Sequence, residues 1–385
     1  MIATILLVFF YLFTPLLILY SCQKLSILRR LGAIIIAYGI GLVAGISGLL
    51  PENAAEIQDI IVTITIPLSL PLMLFSSDIK AWTKLAGSTV VSMIIALVAV
   101  VTSVIVGFLI FHTDEITDLW KVGGLLIGVY TGGTPNLAAL KIMLNVDNDT
   151  YIVTHAYDMI IGAGYFFFLI TIGQKVFGYV LPKFKPGLKS NDQNVLSDMS
   201  LIPMWGLLKI ENRIPMLKAI LISIGIFAVA GLTTLFTPEN SQMIVVILII
   251  TTLGILLSLV PSINKLKNTF ELGMYLILIF SIDVASMVDV SNLANASPTI
   301  FYYVFLVIFG SLFLQVVVSA IFKIDIDTVI ITSTALICSP PFVPAVAGAL
   351  KNKEIIVPGI TVGIIGYAVG NYLGVLVAEF LHTIP

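Results

Sequence analysis

Apolar runs of about twenty residues, the length a helix needs to cross the hydrocarbon core of a bilayer, follow one another along the chain with short polar gaps between them. Twelve such runs can be placed, at 2–20, 33–50, 59–75, 87–112, 121–144, 151–181, 216–236, 243–260, 271–288, 299–322, 327–350 and 355–383. The pattern predicts an all-α polytopic membrane protein. One long polar stretch, 182–215, separates the runs into two sets of six, so 1–181 and 216–385 are expected to be two repeats joined by a linker. Setting Lys141 on Lys351 brings Ala139 and Leu140 onto Ala349 and Leu350, Tyr157 onto Tyr367 and Gly164 onto Gly374, as a repeat requires.

Two runs at matching places are interrupted. In 121–144 the segment Tyr130-Thr131-Gly132-Gly133-Thr134-Pro135-Asn136 sets two glycines before a proline. Each glycine costs a helix about 1 kcal/mol against alanine, and the proline has no amide hydrogen to donate, so the backbone from Thr131 to Asn136 is expected to unwind. In 327–350 the break is Cys338-Ser339-Pro340-Pro341-Phe342-Val343-Pro344. Inside a bilayer, broken backbone is tolerated only where protein buries it or water reaches it. Interrupted helices at corresponding points of two halves are the sequence mark of a transport site.

Basic residues give the expected topology, because cytoplasmic loops are enriched in them. Lys24, Arg29 and Arg30 mark the first loop, and Lys80 and Lys84 the third. Lys183, Lys185, Lys189, Lys209 and Arg213 mark the linker, Lys265 and Lys267 a later loop, and Lys323, Lys351 and Lys353 the last ones; the loops Pro51–Gln58, Thr113–Trp120, Thr237–Gln242 and Asp289–Pro298 have none. Strict alternation of twelve crossings would put basic loops on both faces. If 121–144 and 327–350 are instead re-entrant hairpins, all basic loops share one face. That arrangement gives ten spans and two hairpins, five spans per half, hence inverted repeats with both termini outside and tips that meet near the midplane. The apolar patch Leu201 to Ile210 in the linker is expected along the cytoplasmic interface.

Composition narrows the function. Of 385 residues, 59% are hydrophobic and 10% charged, against about 25% charged in soluble domains. A net charge of −2 without a basic cluster excludes a nucleic-acid partner. The two cysteines, Cys22 and Cys338, make neither a disulfide framework nor a metal spacing. Residues 2–20 lack a basic leader and a small-residue cleavage site, so they are expected to stay as a spanning helix in a bacterial inner membrane. No zinc motif, catalytic dyad or nucleotide-binding loop is found, so neither an enzyme nor a primary pump is expected.

Candidate chemistry gathers at the breaks. Freed carbonyls can ligate a cation, and the amide end of the following half-helix can hold an anion. The expected substrate-binding set is Thr131, Gly132, Gly133, Thr134, Pro135, Asn136, Ser339, Pro340, Pro341 and Asn371. Ionisable groups inside spans are costly and mark ion pathways, so Asp158 and Asp283, with Thr131 and Asn136, are the expected cation-coupling set. Gly363, Gly366, Gly370 and Gly374 in the last run form a small-residue face for close helix packing. No cofactor is expected apart from a sodium ion as coupling ion.

The runs Gly128-Val-Tyr-Thr-Gly-Gly-Thr-Pro-Asn136 and Val357-Pro-Gly-Ile-Thr-Val-Gly363-Ile-Ile-Gly366-Tyr-Ala-Val-Gly370-Asn371, with Ser339-Pro340-Pro341 before the latter, resemble the YjcL-like group of bacterial membrane proteins. That group is in turn similar to sodium–glutamate symporters, 2-hydroxycarboxylate (citrate) transporters and bile-acid/sodium symporters. The resemblance implies an elevator-type secondary transporter that dimerises through a scaffold and carries a small polar or anionic solute, such as an amino acid, short peptide or carboxylate. The alternative is a sodium/proton exchanger without organic substrate. The glutamate and citrate carriers have glycine-rich tips in both halves; here the second tip is Ser-Pro-Pro.

Overall fold

The computed structural model describes residues 2–25, 28, 33–51, 53–76, 87–112, 118–184, 212–238, 242–287, 297–352 and 354–384. All regular structure among them is helical. The first half contains α1 (Ile2–Lys24), α2 (Ala33–Ile46), α3 (Ala54–Phe75), α4 (Gly87–Phe111), α5 (Leu119–Met143) and α6 (Asn148–Phe168). A π-helical turn, Leu169–Gly173, prolongs α6 to Phe177. The second half contains α7 (Arg213–Leu232), α8 (Gln242–Ser258), α9 (Thr269–Ser286), α10 (Pro298–Ile321), α11 (Ile326–Ser333), α12 (Val343–Ala349) and α13 (Ile356–His382). Residues 185–211, including the linker patch 201–210, lie outside the described residues.

Among the described residues eight helices are long and apolar enough to cross a membrane, and α2 and α8 are shorter apolar helices, in keeping with the expected polytopic helical fold. The 14 described residues of α2 make about 21 Å at 1.5 Å per residue. It stops early because Gly48 takes a left-handed conformation, φ 67°, which few residues other than glycine adopt.

The chain forms two compact units, and neither coincides with a half. Unit 1 takes Met1–Ser77, Lys141–Val153 and Met204–Ala296; unit 2 takes Asp78–Leu140, Thr154–Pro203 and Ser297–Pro385. Each half thus supplies three helices to unit 1, then a spanning helix, a broken helix and a last spanning helix, α6 or α13, to unit 2, the first turns of α6 lying in unit 1. The helices that correspond in this order pack on each other within their unit, α3 on α9 and α4 on α10. In unit 1, α9 is the central helix. Its span is 78% buried, against 22% for α7, so α9 packs protein on most of its faces while α7 presents apolar side chains outward. Beside α9, Tyr11 and Ser286 share a hydroxyl hydrogen bond of 2.6 Å, and Gln58 Nε2 donates to both, at 2.9 and 2.8 Å. Such bonds between membrane helices contribute about 0.6 kcal/mol each.

Candidate functional site

The break in α5 is narrower than the sequence suggests. Only Gly133 leaves helical geometry, with φ 64° and ψ −164°. Two features explain this. The ring of Pro135 would collide with the carbonyl of Thr131 in a continuous helix, and one glycine can absorb the whole turn because it has no Cβ to clash. The last turn before it is held by Thr131, whose Oγ1 donates to Ile127 O at 2.7 Å. Hence Thr131, Gly132, Thr134, Pro135 and Asn136 remain in helical geometry.

The two arms of α5 fold back on each other. Gly128, on the first arm, meets Asn136 and Leu140, on the second: a methyl group placed on it would lie 3.2 Å from Asn136 O and against Leu140 Cδ1. In a straight helix Gly128 and Leu140 would stand about 18 Å apart. The first break is therefore a hairpin tip. The second is one also. Asp327 at the start of α11 and Asn352 beyond α12 are joined by a 2.9 Å hydrogen bond from Asn352 Nδ2, and both Ile331 and Val343 lie against Gly359.

Ser339 turns the second tip with φ 82° and ψ 157°, nearly the conformation of Gly133. In each case the residue two places on is a proline, Pro135 or Pro341. This match sets Gly133 on Ser339, a register about one helical turn away from the one that aligns the two lysines.

The tips meet. A Cβ on Gly133 would strike Ser339 Oγ and lie 3.8 Å from the Tyr367 ring. α13 runs beside both hairpins. From its N-terminal end, Gly359 faces the arms of the second hairpin and Gly363 faces Pro340 at that tip. Gly366 faces Thr131 O, Gly370 faces Asn136 and Thr131, and Gly374 faces Leu140 on the second arm of α5. The hairpins thus enter from opposite ends of α13 and touch at its middle. Close approach is strictest at Gly366, where any side chain would occupy the place of the Thr131 carbonyl.

Around this contact the polar groups are buried. Asn136, fully buried, donates through Nδ2 to Tyr367 O at 3.2 Å and Gly366 O at 3.4 Å, tying the first tip to α13. Its Oδ1 has no hydrogen-bond partner, and neither does the buried Tyr130 hydroxyl. Asp158 and Cys338 both act electrostatically on Tyr130. The Asp158 carboxylate lies 3.2 Å from His155 Nδ1 on its own helix and its side chain is 13% exposed. Asn371 is fully buried one residue beyond Gly370.

Unit 2 therefore brings together Thr131, Gly132, Gly133, Thr134, Pro135, Asn136, Ser339 and Pro340, with Asp158 in electrostatic reach of Tyr130; Pro341 follows in the second tip, and Asn371 lies buried on α13 beside Gly370. Asp283 belongs to unit 1, fully buried on α9. The sequence reading overlooked the polar groups that seat the second hairpin. Tyr165 bonds Ser333 at 2.6 Å, Ser92 bonds Thr332 at 2.7 Å, and Gln315 Nε2 donates to Thr332 Oγ1 at 3.0 Å. Hydroxyl and amide residues inside apolar runs, Ser92 and Gln315 above all, were the available signal.

A family model described as "Protein of unknown function (DUF819)" matches residues 9–384. The chain is also similar to a protein of Bacillus subtilis (strain 168) called "Uncharacterized membrane protein YjcL". The two are 26% identical over 368 residues, which is 91% of this chain and 90% of that protein.

Proposed function

The chain belongs to this family of membrane proteins of unknown function, and we propose that it is a secondary transporter whose substrate site lies at the paired hairpin tips of unit 2. The observation that carries this reading is the contact of Gly133 with Ser339, where two breaks of the same shape, entering from opposite ends of α13, meet inside one compact unit. Paired breaks of this kind offer helix ends and unengaged polar atoms to a solute. The substrate is a small polar or anionic organic molecule, such as an amino acid, short peptide or carboxylate, held against the half-helix that starts after Gly133.

The coupling ion is sodium, and Asn136 Oδ1, buried without a partner, is the oxygen best suited to ligate it. Cation and anionic solute then stabilise each other, which is the coupling free energy. Alternating access is of the elevator type, with the unit that carries the tips moving. The protein is a multi-pass homodimer of the bacterial inner membrane with both termini outside, the side that its loops of basic residues assign.

The test is uptake of a broad panel of labelled amino acids, dipeptides and carboxylates into proteoliposomes, with and without a sodium gradient. Gradient-dependent uptake of at least one solute is expected. Proton flux in a dye-quench assay that needs no organic solute and disappears in Asp158→Asn would instead establish the ion exchanger; the contact of Asp158 with His155 is the feature that favours it.

A further inference from the structure

Unit 1 holds a carboxyl group that the transport reading leaves without a role. Asp283 lies on α9, the central helix of that unit, fully buried between Ile282 and Val284 and one turn beyond Ile279 and Phe280, themselves buried. Neither of its oxygens has a hydrogen-bond partner among the described residues. The polar side chains beside it are already engaged: Tyr11, Gln58 and Ser286 bond one another, and Ser286 Oγ donates to the backbone carbonyl of Asp283, at 2.7 Å, and not to its side chain. α2 closes α9 on one side. Its Gly41 meets the carbonyl of Ile282 and its Gly45 the carbonyl of Ser286, with no room for a side chain at either. Of the elements packed on α9, α1 brings Tyr11 and α3 brings Asp59, while α2 brings Tyr38, bonded to Tyr151 at 3.0 Å. Arg213 and Lys218 stand in the first two turns of α7. The charges that act on Asp283 are those of Asp59, which is exposed, and of Lys141 in the last turn of α5.

An ionised carboxylate in this place would have no donor and would stand three residues from the carbonyl end of α9, whose partial charge is also negative. A buried charge without a partner is removed by neutralising the group. We propose that Asp283 is a proton-binding site, carried as a neutral carboxyl in the folded protein, and that Lys141 is the counter-charge that stabilises the carboxylate when the proton leaves. Lys141 belongs to unit 1. Its ammonium stands 5.9 Å from the centre of the Tyr151 ring, and Tyr151 packs edge-on against Phe280, 6.0 Å between centres, one turn before Asp283. On release the O–H bond of the carboxyl breaks and the proton passes to water; on binding it returns to the same oxygen. The charge state of α9 is thereby tied to the end of α5. An ionisable side chain inside a span marks a proton or ion path, and this one is placed to take the proton itself. The assignment does not depend on the transport reading.

The test is infrared spectroscopy of the full chain in proteoliposomes, which separates the C=O stretch of a protonated carboxyl from the bands of carboxylates. At neutral pH the wild type is expected to show a protonated-aspartate band, recognised by its shift in protein made with isotope-labelled aspartate and lost reversibly as the pH is raised. Asp283→Asn, a neutral replacement of nearly the same shape, should remove that band and elute as the wild type does. In Lys141→Gln the band should persist to a pH about one unit higher, because the opposite charge that favours the ionised form is gone. A labelled wild type with no protonated-aspartate band at neutral pH would overturn the proposal without recourse to any variant, and so would a band left unchanged by Asp283→Asn. A titration that Lys141→Gln leaves in place would overturn the role given to Lys141.

Discussion

The two hairpin tips have almost the same backbone and different residues at the turn. Gly133 takes its conformation at no steric cost, whereas Ser339 holds φ 82° and ψ 157°, a region open essentially to glycine alone and costing other residues about 1–3 kcal/mol. Each tip is turned by one residue, and Gly133 leaves the space that Ser339 Oγ fills. The strained serine sets its hydroxyl over the glycine. One tip is built for close approach and the other to present an oxygen, which gives a symmetric frame an asymmetric site.

The comparison is broken most severely at the glycine. Gly133→Leu places a branched side chain where Ser339 Oγ sits, at a backbone angle that leucine avoids. Transport activity is expected to fall about a hundredfold or more, with monodisperse protein still recovered on gel filtration; uptake near the wild-type rate would remove the first tip from the site. Asn136→Ala comes next. It removes both bonds to α13 and the unpartnered Oδ1, so sodium-dependent uptake should be lost while the unfolding midpoint drops by the equivalent of about 1–2 kcal/mol. A sodium dependence left intact would take Asn136 out of the cation site.

Ser339→Gly should do the opposite to stability. Relief of strain, about 1–3 kcal/mol, exceeds what any one hydrogen bond of the serine hydroxyl contributes, about 0.6 kcal/mol, so the midpoint rises by a few degrees while uptake slows. A lower midpoint would show that the serine is not strained. The smallest effect belongs to Tyr165→Phe, which loses only the bond to Ser333. A cost of about 0.6 kcal/mol with unchanged solute preference is expected from thermal unfolding and competition uptake.

The sequence already carried the helical class and the place of both breaks, because twenty-residue apolar runs and a Gly-Gly-x-Pro or Ser-Pro-Pro interruption are local properties of the backbone. It overstated the first break. Pro135 forbids one helical hydrogen bond and Gly133 can supply the entire turn, so five of the six residues from Thr131 to Asn136 stay helical.

What the chain determined by itself was therefore periodicity and interruption: which stretches are helices, which of them fail, and that the failures come in a matched pair. The folded protein alone decided that the failures are hairpins, that they reach each other along α13, and that Ser339 stands over Gly133. Those outcomes depend on contacts between residues far apart in the chain, and an apolar run has the same composition whether it crosses the lipid or turns back within it.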